Sequence, residues 1–576
     1  MSFKGFISCN SKISKVDKDF YDLKNKAAEF YRANGVPEKL ETVLNQMFLS
    51  KPNDVYGYLA NYFSSLSHTP VISAVVGREV YDARGEAALQ VEVYCIVRNE
   101  EKLVCNAVVS CVDGDVTGAW NAVANGNHQA SVEVALEWIR DQLSPMMHGS
   151  NPTHQIHLDQ QLSDFYMARY LEDQDRRNRE KKAEEEETTT SDTNTAQAPD
   201  SSKGKKEAQK GKKGSASEKP LPPPEKPEPM LPGAMAVGTL SMAVAKSAAS
   251  LTTTPLYKHI LTLRDHQAGR VFLPMPLVSV LSCGKASAGK LNLLEEVILL
   301  PTVPHRTREI IRMCRDVQRE IRRLATAGKS ESVSVGLSEG GAIQLGLERP
   351  EQALDLLMEA CTNLGLPIGT ELRLVINCAA HVLMDYSKGK YEVMVGTLKS
   401  PDELVEMFVG LISKYPAIVA LVDAFRKEDV EQWQKLSSRI GQSCYLIADA
   451  AYRPCTGPAF KPRPPGVTWV TLRHRSEMTL TDLIHAVTEQ TEEETILAMS
   501  CEEIGDDSMI DVAVGLGVSF IKLGGLTGGG RMNKYNRLHR IEQELEEQGI
   551  LAGMREVKLP CESRPEQELT PTEQAT

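Results

Sequence analysis

Apolar positions in the first 66 residues recur at helical spacing. Leu40, Val43, Leu44, Met47 and Phe48 line one face of a helix within residues 17–66. Lys51, Pro52, Asn53 and Asp54 then break the pattern, with Asn53 or Asp54 as the N-cap of the next helix. That helix carries Val55, Tyr58, Leu59, Tyr62, Phe63 and Leu66 on one side. Two short helices cannot bury these faces against each other, so they either self-associate or cap the following domain.

From residue 71 the period changes to two. VISAVVGREVYDARG, ALQVEVYCIVRN and LVCNAVVSCVDGD predict three antiparallel strands, and helical patterns follow at 129–143 and 158–171. Residues 176–229 hold no aromatic residue, no Val, Ile or Met, and only Leu221 among the large aliphatics. Such a stretch buries too little apolar surface to offset its ordering entropy, so 176–231 is expected to be a disordered insertion. Further on, short β-branched runs each end in a polar residue and lead into a helical stretch. They are LRLVIN (372–377), AIVALVD (417–423), CYLIAD (444–449), VTWVTLR (467–473), ILAMS (496–500) and VSFIK (518–522). After the first, they start roughly every 20 to 30 residues, the spacing of a parallel (β/α) barrel. Chemistry in such barrels sits at the C-terminal strand ends, which nominates Asn377, Asp423, Asp449, Arg473, Cys501 and Lys522. Taken singly, each also fits a satisfied strand-end cap.

Composition narrows the class. With 576 residues the chain holds two to four units, and 41% hydrophobic with 25% charged residues is ordinary for a globular protein. A formal charge of −12 argues against nucleic acid as a partner. The apolar run from Val237 to Leu251 is broken by Lys246, so no membrane span is expected. Twelve cysteines without a C-x-x-C pair fit reduced thiols in a cytoplasmic protein.

Several strings resemble the enolase family in order along the chain: VYDARGEAALQVEVY (80–94), LPMPLVSVLSCGKASAGKLNLLEE (273–296), KYPAIVALVDAFRKEDVEQW (414–433), IDVAVGLGVSFIKLGG (510–525) and KYNRLHRIEQEL (534–545). The resemblance implies an α/β protein, an enolase-type (β/α)8 barrel at 266–555. Its N-terminal α+β domain is split into 71–175 and 232–265, and a tail follows at 556–576. GVPEKLETVLNQMFLSKPNDVYGYLANYF (35–63) resembles the RIIa dimerisation/docking family. That implies a small all-α module at 1–70, binding an amphipathic anchoring helix as in ciliary and flagellar scaffolds.

The enolase resemblance implies dehydration of 2-phosphoglycerate to phosphoenolpyruvate in glycolysis, dependent on magnesium, in a homodimer. By the same resemblance, Glu339 helps hydroxide depart, Glu296 and Lys522 contact substrate, and Asp449 and Ser110 serve metal sites. Other positions depart from the family. Asn377 stands in place of a magnesium aspartate, and Val422 in place of a third metal carboxylate. Arg473 replaces the proton-abstracting lysine, Ser287 a loop histidine, and Glu502 falls near a phosphate-binding His-Arg pair. A guanidinium keeps its proton at any working pH, so Arg473 cannot be the base; it could instead hold a carboxylate or phosphate bidentately. Two readings follow: a magnesium-dependent lyase tethered by its N-terminus, or a non-catalytic enolase-fold subunit serving assembly.

Overall fold

The computed structural model of the chain describes residues 15–110, 122–191, 231–264, 269–302, 305–327, 335–450, 463–490, 495–499 and 505–554. Two units are resolved. Residues up to Pro70, with Ile96–Glu100, form one, and the remainder forms the other.

The first unit contains helices Lys15–Ala33, Val36–Ser50 and Val55–Ser65. Lys51 ends the second helix in the left-handed conformation, and the Asp54 carboxylate caps the third by accepting the Gly57 N–H at 2.8 Å. Among these helices only Val43 is buried. Phe20, Phe30, Leu44, Phe48, Leu49 and Tyr56 are exposed.

Strands Val71–Tyr81, Ala87–Val97 and Glu100–Ser110 form a three-stranded sheet in chain order, most of it in the second unit. Helix Gln155–Ser191 runs past residue 176, so the expected start of the insertion lies inside a helix. Its poverty in apolar residues argues against burial, not against helix formation. Asp173 pairs with both Arg176 and Arg177 one turn away, and Glu180 lies 3.9 Å from Arg176. Residues 192–230 lie outside the described residues. Helix Met235–Leu251 is buried on almost every side, as an all-round apolar sequence requires. Its Lys246 pairs with Asp506 at 3.0 Å.

Eight strands close the barrel: Met275–Gly284, Leu293–Pro301, Leu372–Asn377, Ile418–Val422, Tyr445–Ala448, Trp469–Arg473, Thr495–Ala498 and Phe520–Gly524. The last pairs with the first, which abolishes both edges. The expected all-parallel arrangement needs one correction. Strand Leu293–Pro301 runs antiparallel to both neighbours, because the connection from Gly284 is too short for a crossover helix. It therefore begins at the end of the barrel where the other strands finish.

Candidate functional site

Barrel register decides which side chains meet. Glu296 is paired with Asn377, Asn377 with Val422, and Val422 with Ile447, two residues before Asp449. Arg473 is paired with Ala498, and Ala498 with Lys522. Cross-strand partners share a face and strand side chains alternate with a period of two. Glu296, Asn377, Val422, Asp449, Arg473 and Lys522 thus fall on the same face around one end of the barrel. Glu296 joins them only because its strand runs the other way.

These groups satisfy one another. Arg473 grips Asp449 bidentately, Nε to Oδ1 at 3.1 Å and Nη2 to Oδ2 at 2.7 Å, and its Nη1 donates to the Met499 carbonyl at 3.1 Å. The Lys522 ammonium lies 2.5 Å from Glu296 Oε2 and 3.7 Å from Asp449 Oδ2. Asn377 donates its amide to Glu296 Oε2 at 2.7 Å, and Ser279 donates its hydroxyl to Oε1 at 2.8 Å. Burial pushes the Asp449 carboxyl up, but the charges of Arg473 and Lys522 outweigh it and hold this group below the usual carboxylate range. Glu296 behaves likewise, its burial outweighed by Lys522, Asn377 and Ser279. Burial would lower the Lys522 ammonium, yet Glu296 and Asp449 raise it above an ordinary lysine. Both carboxylate partners thus favour the protonated form of Lys522.

Asp423 takes a different role from its neighbours. At φ 48 it leaves the strand in the left-handed region, and its carboxylate accepts the N–H groups of Asp449 (2.9 Å) and Ala450 (2.8 Å). It is a strand-end cap, one of the two readings open to it from sequence. Val422 is buried and offers no oxygen donor from its side chain.

Glu339 sits in a turn pinned to the end of the last strand. Gly525 donates its N–H to the Gly340 carbonyl at 2.7 Å, and Arg531 Nη2 donates to the Glu339 carbonyl at 3.0 Å. A Cβ on Gly525 would stand 2.1 Å from the Gly341 carbonyl oxygen, so only glycine allows this approach. Arg84, from the turn after the first sheet strand, places Nη2 3.8 Å from Glu339. Sequence reasoning missed Arg84, although it lies within the motif YDARGE. Ser110 donates to Asp82 at 3.2 Å, in the same turn region as Arg84. Ser287 lies in the connection after the first barrel strand and donates its N–H to the Gly284 carbonyl at 2.9 Å. Glu502 and Cys501 lie outside the described residues, as does the loop after Cys111.

Residues 270–559 match the family model described as Enolase, C-terminal TIM barrel domain. Enolase 4 of Danio rerio is 55% identical over 573 residues, covering 97% of this chain and 97% of that protein. The chain belongs to the enolase family. Enolase 4 of Homo sapiens is 38% identical over 569 residues, covering 93% of this chain and 90% of the relative. An Enolase of Bdellovibrio bacteriovorus is 31% identical over 323 residues, covering 55% of this chain and 73% of the relative. Several of the similarities thus run well beyond the barrel.

Enolases imply magnesium, and the donor set here does not fit it. Magnesium takes hard oxygen donors in near-octahedral geometry. At the three positions assigned to metal carboxylates, Val422 offers an alkyl chain and Asn377 turns its amide N–H to Glu296. Asp449 already has both oxygens engaged by Arg473. Among the described residues, no group of three or more His, Cys, Asp or Glu side chains is arranged to hold a metal ion.

Proposed function

We propose that this chain is an enolase-family protein whose barrel no longer dehydrates 2-phosphoglycerate at a rate useful to glycolysis and serves as a folded body for assembly. The observation that carries this reading is the bidentate Arg473–Asp449 pair, where the family places its base and a metal carboxylate. A permanently protonated group cannot abstract the proton beside the substrate carboxylate, and loss of a general base costs about 10²–10⁴ in rate. In this reading the N-terminal helices supply self-association and a groove for an amphipathic anchoring helix, which suits a ciliary or flagellar scaffold. Their exposed Phe20, Phe48 and Leu49 support it.

A second reading keeps catalysis. Glu339, Asp449 and Lys522 are retained, and Arg84 stands near Glu339, so residual dehydration with Glu339 assisting hydroxide loss has a physical basis. Purified chain incubated with 2-phosphoglycerate and magnesium decides between them. The first reading expects no more phosphoenolpyruvate than a Glu339→Gln control produces. Turnover clearly above that control would establish the lyase.

A further inference from the structure

We propose that Arg473 is a built-in replacement for the family's divalent cation: its guanidinium neutralises Asp449 permanently, and the centre does not take up magnesium. The inference rests on reading this centre as an altered enolase site, and it is independent of whether any turnover persists.

Around Asp449 and Glu296, two carboxylates face two cations, Arg473 and Lys522, with separations of 2.5–3.7 Å. Among the described residues these four formal charges cancel one another, and Asp423, whose carboxyl also feels Asp449, faces His381 at 3.9 Å. In a partly buried site an added dication would meet a guanidinium and an ammonium at short range, and nearby charges are weakly screened there. Geometry points the same way. Magnesium requires oxygen donors at about 2.0–2.1 Å, but Arg473 and Lys522 already lie within 2.7 and 3.7 Å of Asp449 Oδ2. Reaching Asp449 would mean breaking the bidentate pair and leaving Arg473 beside a dication.

The replacements at Asn377 and Val422 complete the account. Asn377 is spent on Glu296, so it donates toward the centre instead of offering a negative oxygen. Val422 keeps the wall between Asn377 and Asp449 apolar. Three substitutions on three strands therefore act together, one supplying a fixed cation and two removing donors a mobile cation would need. Arg473 is a positioning residue here: it holds Asp449 ionised and oriented.

The test is metal binding by the full-length chain after dialysis against chelator, with manganese as the probe for calorimetry and both magnesium and manganese for thermal melting. The wild-type chain should show no saturable manganese binding that depends on Asp449 and no shift in melting temperature with either ion. The triple variant Asn377→Asp, Val422→Glu, Arg473→Lys should gain a saturable rise in melting temperature with both ions. Since a buried glutamate at position 422 can prevent folding, the double variant Asn377→Asp, Arg473→Lys is measured beside it, with the same expectation at lower affinity. Saturable manganese binding to the wild-type chain, lost in Asp449→Asn, would overturn the proposal. So would a folded double or triple variant that gains no binding. Phosphoenolpyruvate formation in chelator would instead defeat the non-catalytic reading and leave this inference standing.

Discussion

Glu295 occupies the position beside Glu296, yet the two carboxyls differ in state. Burial, then the charge of Glu296, push Glu295 up to about 7, against the opposing charges of Lys522 and His381. Its unfolded value is near 4.5. A carboxyl raised on folding stabilises the fold fully below about pH 4.5, and that contribution is lost as pH rises through 7. Glu295→Gln should therefore melt higher than the wild-type chain at pH 8, by on the order of 2–3 kcal/mol of stability, and differ little at pH 4.5. Melting curves at the two pH values check this, and an equal difference at both would refute it. Arg473 makes the complementary case, for its identity excluded a base from sequence alone. That its partner is a carboxylate of this chain, in place of a ligand's, is decided by the tertiary structure.

Helix Met235–Leu251 positions the segment that follows Arg473. Gly238 donates its N–H to the Ser476 carbonyl at 2.9 Å, and a Cβ there would stand 2.4 Å from that oxygen and 2.7 Å from the Met478 carbonyl. Backbone carbonyls cannot swing aside as a side chain can. Gly238→Ala should then cost about 1–3 kcal/mol by overpacking, despite alanine's better helix propensity. Chemical denaturation reads the loss, and a stabilised variant would disprove the close approach. The same helix shows where pattern reading stops. Its apolar run is evident in the sequence, and no described helix is long and apolar enough to cross a membrane. Helix Gln155–Ser191 shows the converse, because poverty in apolar residues did not end it at residue 176.

The two units carry different surfaces. The helices of residues 15–65 expose large apolar side chains, Phe20, Phe48 and Leu49 among them, while the larger unit has an extensive core. Light scattering on the full chain and on a chain lacking residues 1–66 should give a larger assembly for the full chain. Equal numbers of subunits in the two assemblies would remove the self-association reading. Should the barrel also form the homodimer that the family resemblance implies, the truncated chain remains a dimer and the full chain exceeds it.

By itself, the sequence determined the run of helical and strand patterns, the barrel and its family, and the residue identities at 377, 422 and 473 on which the reading of an altered site rests. Those follow from local periodicity and from residue identity, which need no knowledge of distant neighbours. Only the tertiary structure decided that Glu296 enters from an antiparallel strand, that Arg84 approaches Glu339, and that Arg473 closes on Asp449. Each of these joins residues far apart in the chain, and the register of a closed barrel sets which of them share a face.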